Sequence, residues 1–95
     1  MTALGAPEAD LSGIHDLLWS LRHDPALVDE FKAGPERILE QYAVDPLLHA
    51  AIATLDVRAL YLAGVNPYLL FFGAIELGLT RDEYYRRISE GEADG

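Results

Sequence analysis

The stretch AGVNPYLLFFGAIELG, residues 63–78, carries a single charge, Glu76. After Pro67 it runs through Tyr68, Leu69, Leu70, Phe71, Phe72, Ala74, Ile75 and Leu77. Asn66-Pro67 marks a helix start. The Asn side chain accepts free amide hydrogens of the first turn, and a proline placed next gives up an N–H that had no partner there. Gly78 marks the end, where a helix closes through a left-handed residue. A helix is therefore expected over 67–77. At roughly 100° per residue its large apolar side chains cover the whole circumference, whereas an ordinary surface helix buries one stripe. Two arrangements fit: a central helix enclosed by its own chain, or a helix with one side covered by a second protein. A domain of this size hides only about two-thirds of its unfolded surface. Leaving two large apolar side chains in water forgoes roughly 2 kcal/mol each. An apolar patch that stays exposed marks an interface.

The remaining chain gives the same helical reading, because apolar positions recur at three and four residues rather than two. Ser12 is expected to cap a helix with the stripe Ile14, Leu17, Leu18 and Leu21. Asp24-Pro25 and Asp45-Pro46 repeat the Asn66-Pro67 device, and Gly34-Pro35 is a weaker version. The even spacing of the first three reads as coincidence, since the segments after them share only apolar character. The expected helices are 13–23, 25–33, 35–42, 46–54, 57–63, 67–77 and 81–89. Gly64 closes the fifth, and Thr80 with Glu83 forms a capping box for the last. No alternating β-branched run competes. The fold class is all-α, a small compact bundle of about six to seven short helices. Residues 1–10 and 91–95 read as flexible tails around a helical domain at 11–90.

Composition narrows the function. The chain has 95 residues, enough for one small domain. Seven Lys and Arg against 16 Asp and Glu leave a net charge of -9. That opposes unaided binding to nucleic acid, whose phosphates demand a basic face, and adsorption to anionic membranes. With no cysteine there is no disulfide, thiolate zinc site or Cys nucleophile. The longest charge-free run, Ala59 to Ile75, is broken by Gly64, Asn66 and Pro67 and does not read as a membrane span. The N-terminus has no signal-peptide pattern, so a cytoplasmic protein is expected.

Catalytic chemistry is sparse. His15, His23 and His49 are not at metal-ligand spacing, and no His/Glu cluster accompanies them. Ser12, Ser20 and Ser89 sit in no nucleophile elbow, and the glycines form no phosphate loop. The carboxylates spread along helix faces. One local basic-aromatic cluster stands out: Arg81, Tyr84, Tyr85, Arg86 and Arg87. It reads as a last helix whose arginines favour its C-terminal dipole end, or as a contact for an acidic partner or an anionic substrate. No catalytic residue and no metal ligand is expected in this chain.

Three stretches in order carry a family likeness: SLRHDPALVDEFKAGPERILEQYAV, then LLHAAIATLDVRALYLAGVNPYLL, then LGLTRDEYYRRI. From about Leu17 to Ile88 the chain resembles the small α-type subunit of the protocatechuate 4,5-dioxygenase class, the LigA-like family of aromatic-ring-opening extradiol dioxygenases. The resemblance implies an all-helical accessory subunit without its own catalytic metal. The Fe(II) would sit in a separate large catalytic subunit, whose active site the small subunit caps. Ring cleavage needs a dry, apolar pocket that orients a flat ring and excludes bulk water. Carried over by position, Gly64, Asn66, Tyr68, Phe71 and Phe72 would face substrate or partner. Gly64 would allow the chain reversal, Asn66 would cap the helix or present its amide, and the three aromatics would supply the lid surface. The alternative is a stand-alone helical interaction module, a homodimer that buries the same face by self-association.

Overall fold

The computed structural model describes residues 9–93 and, among them, forms seven α-helices and no strand. They are α1 (Ser12–His23), α2 (Pro25–Ala33), α3 (Pro35–Gln41), α4 (His49–Ala53), α5 (Val57–Leu62), α6 (Pro67–Glu76) and α7 (Arg81–Ala93), with a 3-10 turn at Pro46–Leu48 before α4. The expected small all-α bundle is the observed fold. Of the two expected tails, residues 1–8 and 94–95 lie outside the described residues. At their inner ends Ala9 packs against the core, the Asp10 backbone N–H donates to Asp45 Oδ2 at 2.8 Å, and α7 continues through Ala93.

The bundle is organised around α1. Its stripe Ile14, Leu17, Leu18 and Leu21 is completely closed from solvent. Each such side chain contributes about 1.5–3 kcal/mol relative to exposure. Helix α1 packs along α6 and against α2, while α5 joins α6 to α7. Two glycines permit the close approaches. A Cβ on Gly13 would lie 2.5 Å from the carbonyl oxygens of Tyr42 and Ala43. A Cβ on Gly73 of α6 would run into the Leu18 side chain of α1.

The connections share one chemistry. Four helices end in a left-handed residue whose N–H and its successor's N–H return to carbonyls of the last turn, which satisfies groups the helix leaves open. Gly64 (φ 103°) and Gly78 (φ 109°) do this as their sequence implies, through Val65 N–H to Leu60 O and Leu79 N–H to Ala74 O. Ala43 (φ 54°) and Leu55 (φ 55°) do the same, through Val44 N–H to Leu39 O and Asp56 N–H to Ala51 O. A polar residue then opens the next element. Asp45 Oδ1 accepts Leu47 N–H at 3.0 Å, Asp56 Oδ1 accepts Ala59 N–H at 3.1 Å, and Asn66 Oδ1 accepts Tyr68 N–H at 2.9 Å and Leu69 N–H at 3.2 Å. Asp24 caps α2 in the same way.

Four local expectations are corrected. Ser12 is not the cap of α1: it is the first helical residue, and Asp10 Oδ1 accepts its N–H at 3.0 Å. The expected helix at 46–54 divides into the 3-10 turn and α4. The capping box is half formed. Thr80 Oγ1 accepts Glu83 N–H at 3.1 Å, but the Glu83 carboxylate turns forward to Arg86 and Arg87. Because α7 runs to Ala93, those two arginines sit mid-helix rather than in its last turn. Their guanidiniums, Arg87 foremost, hold the Glu83 carboxyl below its ordinary 4.5.

Candidate functional site

Helix α6 is not enclosed. Its inner side, Leu70, Gly73 and Ala74, is buried against α1 and the core. Leu69, Phe71, Phe72 and Ile75 are half-buried, and Tyr68 is 61% exposed. Contacts with α1, α5 and α7 thus cover most of the apolar circumference that the sequence shows, and it stays open at Tyr68 and in part at its half-buried neighbours.

The outer side carries a continuous strip of rings. Tyr68 meets Phe72 edge-on at 4.7 Å between centroids, Phe72 meets Phe71 at 5.2 Å, and Phe71 meets Tyr84 of α7 at 4.9 Å. Tyr84 in turn meets Tyr85 at 5.4 Å. Edge-to-face pairs at these separations set positive ring edges against negative ring faces. Two arginines flank the rings, one at the Tyr68–Phe72 end and one at the central Phe71. The Arg22 guanidinium of α1 lies 3.8 Å over the Phe72 ring, and its Nη1 donates to the Tyr68 hydroxyl at 3.1 Å. Arg81 lies 5.9 Å from the Phe71 centroid. Beyond Arg22, Trp19 stacks on His23 at 4.0 Å and is 55% exposed. Burial pushes the Tyr84 phenol above its ordinary 10, with Tyr85 and Tyr61 adding to the shift.

Of the five residues singled out in the sequence, Tyr68, Phe71 and Phe72 come together in this strip. Gly64 and Asn66 do not: they build the junction that aims α6. Gly64 supplies the left-handed turn, and Asn66 spends its side-chain oxygen on the cap, while its own N–H donates to His15 Nε2 at 2.9 Å. Sequence reasoning missed Arg22 and Trp19. Both lie off the buried stripe of α1, and a Trp outside the stripe of an amphipathic helix was the signal available.

The other candidates supply local structure. His23 Nδ1 contacts Trp19 O and His49 Nε2 contacts Val44 O, each at 2.8 Å. Arg87 Nη1 donates to Leu55 O at 2.9 Å and so clamps the α4–α5 turn. A groove between Phe31, Pro35, Ile52 and Leu77 encloses about 230 Å³, below the roughly 300–1,000 Å³ usual for small-molecule sites. Among the described residues no group of three or more His, Cys, Asp or Glu could hold a metal ion, and no helix is long and apolar enough to cross a membrane. Set beside known protein families, curated proteins and solved structures, the chain matches none.

Proposed function

We propose that the chain is an accessory, non-catalytic subunit that packs the outer side of α6 on a second protein. Its partner is the iron(II)-bearing large subunit of an extradiol ring-cleaving dioxygenase, over whose active site α6 forms a lid. One observation supports the docking role: exposed Tyr68 of α6 and exposed Tyr85 of α7 stand on either side of the half-buried rings Phe72 and Phe71, all joined edge-on through the buried Tyr84. Exposed Trp, Tyr and Arg are the side chains that dominate binding energy at interfaces. The choice of partner rests on the motif order from Leu17 to Ile88 alone. This reading, following the family likeness, places the iron and the oxygen chemistry in the other chain. What these residues contribute is a dry apolar cover that orients a flat ring and keeps bulk water out.

The test is affinity isolation of the tagged chain from its native extract. Metal analysis of the recovered complex and oxygen uptake with catechol-type substrates follow. A large, iron-containing chain whose ring-cleaving activity rises with added subunit supports the reading. Recovery of this chain alone, as a dimer, overturns the dioxygenase role in favour of self-association.

A further inference from the structure

We infer that the surface met by α6 is acidic as well as apolar: a protein face whose carboxylates pair with Arg22 and Arg81. This rests on the docking role proposed above and adds the chemistry of the partner. The chain has more than twice as many acids as cations. Within α7, Arg86 and Arg87 are paired to Glu83. Among the described residues Arg22 and Arg81 have no ion-pair partner, nor have Lys32 and Arg37, but only Arg22 and Arg81 lie over rings of the strip.

The geometry at Arg22 is specific. Its central carbon lies 3.8 Å from the Phe72 ring centre and its Nη1 donates to the Tyr68 hydroxyl, so two contacts position the guanidinium before any partner arrives. A guanidinium has five N–H donors, so those not spent on Tyr68 remain for a carboxylate in a two-pronged contact. Covering the strip with apolar surface removes water and strengthens the pairing. A second copy of this chain fits poorly. The strip is built of rings and carries no carboxylate of its own, so a two-fold contact of strip on strip leaves both arginines without an acid. Single-stranded nucleic acid also stacks on aromatic strips, but the net charge of -9 repels its phosphates.

The test uses the intact chain as bait for a random linear peptide library displayed on phage. The selected peptides are then measured by fluorescence anisotropy. Expected are sequences with Asp or Glu among apolar residues. Their affinity should fall about tenfold or more in Arg22→Gln or Arg81→Gln, hold partly in Arg22→Lys, and stay unchanged in Arg37→Gln, an exposed arginine of α3 away from the strip. Circular dichroism checks that each variant is folded. Peptides without acids that ignore both arginines, yet are lost in Phe72→Ser, overturn the acidic partner and leave the docking face standing. Failure to enrich any peptide over a Phe72→Ser bait overturns the inference together with that face. A dimer in sedimentation that Phe72→Ser dissociates, or binding of labelled oligothymidylate to the strip, replaces the acidic protein with another occupant and overturns it too.

Discussion

The Asn66 backbone N–H donates to Nε2 of His15 at 2.9 Å and thereby ties the start of α6 to α1 across 51 residues of sequence. Only an imidazole nitrogen that carries no proton can accept this bond, so Nδ1 carries the hydrogen. Two turns further along α1, Arg22 reaches Tyr68 and Phe72. The aromatic strip is therefore held from α1 at both places, and its aim depends on side chains remote in sequence.

Replacing His15 by Phe removes the acceptor while keeping a ring of similar size. Because the site is near solvent, water can take part of the bond. A loss of about 1 kcal/mol is expected, read as a lower urea midpoint at unchanged slope. No change in midpoint would show that the bond contributes nothing to the placement of α6.

Ala43→Gly should stabilise the chain. Ala43 sits at φ 54° with its side chain exposed, and a left-handed L-residue costs roughly 1–2 kcal/mol. Glycine relieves that cost but loses more backbone entropy on folding. A net gain of about 0.5–1 kcal/mol is expected from the two terms. Urea unfolding decides it, and a loss would mean that the turn is not strained.

Gly13→Ala should act oppositely. The added methyl meets the carbonyl oxygens of Tyr42 and Ala43, which are backbone and cannot swing aside. Overpacking of this kind costs typically 1–3 kcal/mol. Thermal unfolding should show a clearly lowered midpoint. A wild-type midpoint would mean that the α1 contact with the α3–α4 turn is looser than its geometry indicates.

Acid should weaken the fold through Asp45 and Asp10. The N–H groups of Asp10 and Leu47 hold the Asp45 carboxyl below its ordinary 3.8, and Ser12 does the same for Asp10. A carboxyl lowered in the folded state gives its full stabilisation above 3.8 and loses it as pH falls through the lowered folded value. Asp45→Asn keeps an oxygen for the Leu47 cap but removes the titration. Its stability should decline less steeply than wild type below pH 3.8, as followed by urea midpoints at successive pH values. Identical acid slopes would reject Asp45 as a source.

Much of the fold was legible because its signals are local. The α1 stripe, the Asp24, Asp45 and Asn66 caps and the Gly64 and Gly78 turns each lie within a few residues of what they control. Ala43 and Leu55 gave no such signal: their left-handed turns are imposed by the burial of Val44 and Val57 around them, not by their own preference. The site was half legible. Composition showed that α6 is apolar all round. Which side closes is decided by Leu18 meeting Gly73, and which rings gain an arginine by Arg22 reaching across from α1. Those are tertiary facts without periodicity in the chain.

Phe71 and Phe72 differ accordingly, although they are neighbours in one helix. Phe71 lies between Phe72, Tyr84 and Tyr85, so it joins α6 to α7. Phe72 lies between Tyr68 and the Arg22 guanidinium on the open side. Phe71→Ser should therefore cost about 2–4 kcal/mol and Phe72→Ser about 1–2 kcal/mol, both below the range for full truncation of a wholly buried Phe or near its lower end. Serine is preferred to Asp at 72, since a carboxylate there would pair with Arg22 and hide the loss. Urea unfolding ranks the two variants. Equal costs, or a larger cost at 72, would mean that the open side of α6 is as much a part of the core as the side facing α7, and the case for a docking face would lose its structural basis.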